Sequence, residues 1–215
     1  MPSCGHISLA ALSKTSIVPP RAIPYAIKHM QKSPRSPWLY AALLVFFAYL
    51  YVQILEFTTD NSHNLLLIGL YFIEFGVHEA SHMITAFLPP IITAAAGSIG
   101  EVSFTALIAY AGFRAKSYFA GIFGLFWVTL AMNNAGRYMA DARSQQLDLI
   151  GLSDHPIHDW HFVFGQLGWL QADTAIGGTV RILGDLIGAA GLLLGCFLVI
   201  VLFTTRRKSI DSPKK

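Results

Sequence analysis

The chain has 215 residues, of which 54% are hydrophobic and only 13% are charged. Because soluble domains carry about 25% charged residues, this composition excludes a soluble protein and indicates an integral membrane protein. The length suits one helical bundle rather than several domains. The net charge of +3 lies mostly in two basic tails, a pattern typical of contact with anionic lipid headgroups and not of nucleic-acid binding.

Three segments follow one another along the chain. Residues 1–37 contain repeated prolines and scattered basic residues, which predicts a mobile basic N-terminal tail. Residues 38–205 hold the apolar segments and form the predicted transmembrane domain, and residues 206–215 form a basic C-terminal tail. Cys4 lies in the first tail and Cys196 in the last apolar segment, so we expect no disulfide.

Apolar stretches of about twenty residues predict membrane-spanning helices, and five occur in the predicted domain. They are Trp38 to Phe57, Asn64 to Leu88, Ile91 to Phe113, about Ser117 to Ala142, and about Ile176 to Thr204. The expected fold is therefore all-α, a polytopic transmembrane helix bundle with about five spans. The polar, histidine-rich stretch before the last span contains a semi-apolar part, Trp160 to Leu170, which we expect to lie in the interface or to dip into it.

The charge distribution leaves two topologies open. Basic tails at both ends favour a common side of the membrane, which would make Ile91 to Phe113 a re-entrant hairpin broken near Gly97 and Gly100. Five full spans instead bring the polar residues of the second, fourth and fifth segments into the same half of the bilayer. We prefer five spans for that reason.

The pentapeptide His78-Glu79-Ala80-Ser81-His82 is the most informative motif of the chain. Residues four apart lie on one helix face, so the two imidazoles can bind a single Zn²⁺ and Glu79 lies beside it. Ionisable side chains at membrane depth cost about 2.5–3.5 kcal/mol each on insertion scales, which argues against an accidental cluster. We predict that His78 and His82 bind zinc and that Glu79 is the catalytic base, taking a proton from a water activated by the metal. The opposing interpretation is a structural polar cluster without metal.

A catalytic zinc also needs a third protein ligand. His158 is our first choice, because the stretch from His155 to His161 precedes an apolar segment and can fold back over the motif. Asp159 is its competitor, or the residue that orients it. Asp141 and Asp185 are further candidates. Each of these two aspartates has an arginine four residues before it, so a helical ion pair, with Arg137 or Arg181 respectively, is the default interpretation.

Other polar residues in the predicted spans are candidates for supporting roles. Glu74 lies four residues before His78 and is placed to accept the outer N–H of a ligand imidazole. Glu101 has no partner in the sequence pattern. The asparagines at 133 and 134, together with Arg137, are candidates for stabilising an oxyanion.

A hydrophobic helix that carries His78-Glu79-x-x-His82 within a small polytopic bundle resembles the site-2 protease family of intramembrane zinc metalloproteases, in its minimal bacterial form. The resemblance covers the helix around the motif. It implies His78 and His82 as zinc ligands, Glu79 as catalytic base, and cleavage of peptide bonds of a membrane protein or peptide in or near the bilayer. It also implies a location in the bacterial inner membrane. That family takes its third ligand from an aspartate in an Asn-Pro-Asp-Gly-like motif, which this sequence lacks.

Two alternatives to a metalloprotease stay open at this point. Attack by an activated water on an acyl carbonyl does not depend on the leaving group, so a zinc-dependent hydrolase of a lipid amide or ester fits the same residues. A non-enzymatic metal-binding or transport protein fits them as well. The expected partners are the lipid bilayer and a membrane-embedded substrate.

Overall fold

The computed structural model describes residues 37–57, 63–149 and 157–211, and the side chains up to residue 206. Within these ranges the chain forms six α-helices and no strand, which confirms the all-α bundle. We number the helices in chain order. They are α1 (Pro37–Glu56), α2 (Leu65–Thr85), α3 (Pro90–Arg114), α4 (Tyr118–Ala140), α5 (Asp159–Leu167) and α6 (Asp173–Asp211), with a 3₁₀ turn at Leu170–Ala172 before α6.

Four of these helices, α1, α3, α4 and α6, are long and apolar enough to cross a bilayer. The four helices support an integral membrane protein. The helix α2 has 21 residues but is not among these four. Trp38, at the start of α1, packs on Phe203, near the end of α6, with ring centroids 5.0 Å apart, so both predicted tails leave the bundle at the same end. Five full spans would put them at opposite ends, so that preferred topology is wrong and α2 is not a fifth complete crossing. The helix α3 runs without a break through Gly97 and Gly100. The alternative of a re-entrant hairpin broken at these glycines is therefore wrong.

The helices begin and end where the sequence supplies local signals. Asn64 caps α2, because its side-chain oxygen accepts hydrogen bonds from the backbone N–H groups of Leu66 and Leu67. Pro89 and Pro90 follow α2 and open α3, where a proline in the first turn sacrifices no helical hydrogen bond. The two helices thus form a tight antiparallel hairpin that carries the pentapeptide.

The helix α4 is the centre of the bundle. Its apolar residues Ile122, Phe126 and Leu130 are almost completely buried, among α1, α2, α3 and α6. On the α6 side, a Cβ at Gly136 would overlap the backbone oxygen of Gly177, and a Cβ at Gly177 would overlap the backbone of Gly136 and Ala140. Small residues at such a crossing let two membrane helices approach backbone to backbone.

The short helix α5 folds back against α3 and α4. His158 caps its first turn by accepting a hydrogen bond from the backbone N–H of His161. Gly168, with φ of +70°, ends it in the left-handed conformation that glycine adopts without strain. Trp160, Val163 and Phe164 are buried against α3 and α4, so the semi-apolar segment is a helix that packs on the bundle.

The two predicted tails are only partly within the structure. The mobile N-terminal tail, residues 1–37, lies outside the described residues except for its last residue, Pro37, which begins α1. The C-terminal tail was predicted to begin at residue 206, whereas the helix α6 continues to Asp211.

We expect Gly177→Ala to destabilise the bundle, because its Cβ would meet the backbone of α4, which cannot move aside cheaply. Overpacking of this kind costs about 1–3 kcal/mol. Thermal unfolding in detergent micelles measures the effect. The control is Gly178→Ala, whose Cβ meets nothing within 4 Å and should stabilise the helix by about 0.5–1 kcal/mol. Equal unfolding temperatures for both variants would contradict the tight α4–α6 crossing.

Candidate metal centre

Three side chains from two distant parts of the chain converge beside α2. His78 Nε2 lies 3.0 Å from Asp159 Oδ2, and His82 Nε2 lies 3.2 Å from the same oxygen. The two imidazole rings are 4.7 Å apart between centroids. All three side chains are partly buried. This group could hold a metal ion, because each residue offers one ligand atom and the three atoms lie within 4.8 Å of one another.

The outer nitrogens of both imidazoles face hydrogen-bond acceptors. His78 Nδ1 lies 2.5 Å from Glu101 Oε1, and His82 Nδ1 lies 2.8 Å from the backbone oxygen of Thr93. A carboxylate and a carbonyl only accept, so we assign the imidazole hydrogen to Nδ1 in each ring. The second nitrogen, Nε2, then presents a lone pair to Asp159. Metal-binding histidines are typically oriented by such outer partners.

With the hydrogens on Nδ1, the centre needs positive charge between its three inward-facing atoms. Two Nε2 lone pairs and a carboxylate oxygen repel one another at the observed separations, unless positive charge lies among them. Either protons on both imidazoles or one divalent cation supplies that charge. A tetrahedral ion with bonds of about 2.1 Å holds its ligand atoms about 3.4 Å apart. The two nitrogen-to-oxygen separations, 3.0 and 3.2 Å, are close to that value. All three ligand atoms lie within 4.8 Å of one another, so the group could hold a metal ion.

Asp159 reaches the centre because hydrogen bonds hold the start of α5 to both α4 and α3. The backbone N–H of Asp159 donates to the hydroxyl oxygen of Tyr138 at 2.9 Å, and that hydroxyl lies 3.4 Å from Asp159 Oδ2. The next residue, Trp160, donates from its indole N–H to Ser98 Oγ at 3.0 Å. Burial alone would raise the pKa of Asp159. When both imidazoles carry protons, their Nε2–H groups donate to this carboxylate, outweigh the effect of burial and hold the pKa below its usual value.

A glycine on α3 makes room for the first imidazole. A Cβ at Gly97 would lie 2.5 Å from His78 Nε2, inside any real contact distance. One helical turn later, a Cβ at Gly100 would overlap the hydroxyl of Ser81. The imidazole of His78 therefore rests directly on the α3 backbone, which positions its Nδ1 toward Glu101.

His158, the first choice for the third ligand from the sequence, does not join the pair. Its ring stacks on Tyr138 with centroids 4.2 Å apart, its Nδ1 accepts from the His161 N–H, and its Nε2 lies 3.5 Å from Asp141 Oδ2. Burial lowers the pKa of His158. The competing candidate, Asp159, is the residue that the structure brings to His78 and His82. The neighbouring His155 lies outside the described residues.

Asp141 and Asp185 lie away from the pair and serve other contacts. Asp141 accepts hydrogen bonds from the Ser144 hydroxyl at 2.6 Å and from two backbone N–H groups in the turn after α4. Burial would raise the pKa of Asp141, but these hydrogen bonds hold it below its usual value. Asp185 accepts from Asn133 at 2.8 Å. Neither expected ion pair with an arginine on the same helix is present in the described part of the chain.

The three glutamates of the region have separate environments. Glu74 is 1% exposed and accepts from the side-chain amide of Asn134 at 3.0 Å, so it does not hold the imidazole of His78. Glu101, for which the sequence indicated no partner, takes that position. Glu79 is partly buried, and its side chain forms no hydrogen bond or ion pair within the ranges that the structure describes. Its carboxylate therefore has no structural task there.

The residues considered for an oxyanion site point in different directions. Asn134 is bonded to Glu74 and Asn133 to α6, so neither amide is directed at the centre. The side chain that contacts the centre from α4 is Tyr138, which the sequence pattern did not indicate.

No protein-family model, no curated protein and no solved structure matches this chain at a significant level. The geometry of the centre is therefore the basis for assigning a function.

We expect Asp159→Ala to remove bound metal from the purified protein, because two imidazoles alone hold a divalent ion weakly. The matched variant is His158→Asn, which keeps a side-chain acceptor for the first turn of α5 and should bind metal as the wild type does. Elemental analysis after purification in detergent gives the metal-to-protein ratio. Loss of metal in the His158 variant with retention in the Asp159 variant would reverse the ligand assignment.

Gly97→Ala should also lower metal binding, since the added Cβ displaces the imidazole of His78 from its position on α3. Gly76→Ala, on α2, adds the same methyl group into open space and serves as the control. Titration of the metal-free variants with Zn²⁺ compares their affinities. Unchanged affinity in Gly97→Ala would show that the imidazole does not need this close contact.

Proposed function

We propose that this protein is a membrane-embedded zinc-dependent hydrolase that cleaves peptide bonds in or near the bilayer. The observation that carries the proposal is the convergence of His78 Nε2, His82 Nε2 and Asp159 Oδ2, with both outer imidazole nitrogens held by acceptors. Buried lone pairs that point at one another are costly without a cation. A structural cluster does not require the inward orientation of all three ligands.

The donor set supports zinc as the metal. Two imidazoles and one carboxylate are a typical ligand set of catalytic zinc, with the fourth position left for water. Bound there, zinc would supply a Lewis acid and lower the pKa of a coordinated water toward about 7. The side chains of His82 and Asp159 are partly exposed, at 22% and 16%, so the centre is not sealed from its surroundings.

The chain's own residues have distinct tasks in this proposal. Glu79 is the general base that takes a proton from the attacking water and then delivers it to the leaving amine. It follows a ligand directly in the sequence and has no other partner among the described residues, so its carboxylate is available for that exchange. Glu101, Thr93 and Tyr138 orient the ligands and carry no proton in the reaction.

The substrate class rests on two considerations. The resemblance of the motif helix to site-2 proteases implies a peptide substrate and the inner membrane of a bacterium. The exposed surface next to the motif is apolar, as a site reached from the bilayer would need. Met83 and Ile84 on α2 and Phe87 in the turn after it are 66–83% exposed. A lipid amide or ester would approach the same surface.

We expect Glu79→Gln to reduce hydrolysis by roughly 10²–10⁴-fold, the usual contribution of a general base, while zinc stays bound. The assay uses purified protein in liposomes with a fluorogenic transmembrane peptide, and elemental analysis reports zinc in the same samples. Glu56→Gln, the same change at an exposed position at the end of α1, should be silent.

Three outcomes would overturn the proposal in different ways. Zinc absent from the wild type removes the metal and the hydrolytic mechanism together. Turnover of a lipid amide or ester in place of the peptide changes the substrate class. Bound zinc without turnover of peptide or lipid leaves a non-enzymatic metal-binding protein.

A further inference from the structure

A second polar cluster lies between α4 and α6, apart from the metal centre. Asn133 is at its middle: its side chain donates to Asp185 Oδ1 at 2.8 Å and accepts from Arg181 Nε at 3.4 Å. The hydroxyl of Tyr51, on α1, donates to the backbone oxygen of Asp185 at 2.9 Å. These contacts fix Arg181 and Asp185 in place without joining them as an ion pair.

Arg137 adds a second guanidinium to this cluster. It follows Gly136, which packs against the Arg181 side chain, and the charges of Arg181 and Asp185 are its electrostatic neighbours. The side chain of Arg137 forms no hydrogen bond or ion pair with any residue that the structure describes. The nearest acid along its own helix, Asp141, is used by the turn after α4. Two positive charges thus face one negative charge, with several N–H donors left over.

Helix lengths indicate that the cluster lies near the lipid headgroups. The bilayer core is about 30 Å thick, which corresponds to about twenty residues of helix. Counted back from Arg206, at the basic end of α6, twenty residues reach the neighbourhood of Asp185, and Arg181 is one turn further. On α4, Arg137 is less than one turn from the helix end at Ala140. Both guanidinium groups can therefore reach the interface on the same side.

We propose that Arg137 and Arg181 bind the phosphate of one anionic phospholipid. Guanidinium groups suit phosphate because their N–H donors match its oxygens in pairs. The excess positive charge selects an anionic headgroup over a zwitterionic one. This site is separate from the metal centre and does not depend on the proposed hydrolysis.

The test is native mass spectrometry of the purified protein with equal amounts of phosphatidylglycerol and phosphatidylcholine of the same acyl chains. The wild type should retain one phosphatidylglycerol in preference to phosphatidylcholine. Arg137→Gln and Arg181→Gln should each lower that preference about fivefold, the effect expected for one basic side chain at an anionic surface. Arg114→Gln, at the opposite end of the bundle, is the control and should leave it unchanged.

A loss of folding can be told apart from a loss of lipid binding. The Arg137 side chain has no hydrogen bond within the described residues to lose, and the unfolding temperature in phosphatidylcholine checks each variant. Equal retention of the two lipids by the wild type, or equal phosphatidylglycerol retention by all variants, would overturn the proposal. Displacement of the lipid by excess inorganic phosphate would assign the arginines to a free anion instead. Metal content and hydrolysis are read separately, so failure of either proposal leaves the other standing.

Discussion

The contact of one carboxylate with two imidazoles is the interaction on which the rest of the structure depends. Asp159 approaches His78 and His82 from a separate helix, and the three ionisable groups share one partly buried site, where protons or a cation must balance them. Each of them would be expensive to bury without a partner. The helix α5 positions that carboxylate. The Trp160 indole donates to α3, the Asp159 backbone N–H donates to α4, and the apolar face of α5 is buried against both helices.

The contacts of α4 with α2 and α5 and its contacts with α6 lie on different faces of the helix. Consecutive residues on a helix point about 100° apart, so Asn133 faces α6 while Asn134 faces Glu74 on α2. One turn later, Tyr138 again faces α2 and α5, whereas Gly136 meets α6. A buried carboxylate near the metal centre thus obtains its partner from α4, and the arginine cluster stays on the other side of the same helix.

The sequence predicted the parts of this arrangement that depend on short-range periodicity. Apolar lengths predicted five of the six helices, four of them within three residues at each end, whereas α6 continues seven residues beyond the predicted end. The four-residue spacing of His78 and His82 predicted that the two imidazoles share a face. The third member of the group depended on the direction of one turn of chain. His158 caps α5 with its ring on Tyr138, and the next residue, Asp159, points to the two imidazoles. Likewise, Asp141 stands at the end of α4, where the N–H groups of the following turn compete with Arg137 for its carboxylate.

The partner of His78 could have been found from the sequence by treating α2 and α3 as one hairpin. Glu74, His78 and His82 recur every four residues on α2, and α3 carries Thr93, Gly97 and Glu101 at the same spacing. Residues four apart share a face, so two stripes of equal period meet along the antiparallel pair. On α3, the backbone carbonyl of Thr93 accepts the outer N–H of His82. Gly97 has no side chain and leaves room for the His78 ring, and the carboxylate of Glu101 accepts the outer N–H of His78. This complementarity requires α3 to be continuous, which is why a broken α3 would have left His78 without its partner and the metal centre without a fixed geometry.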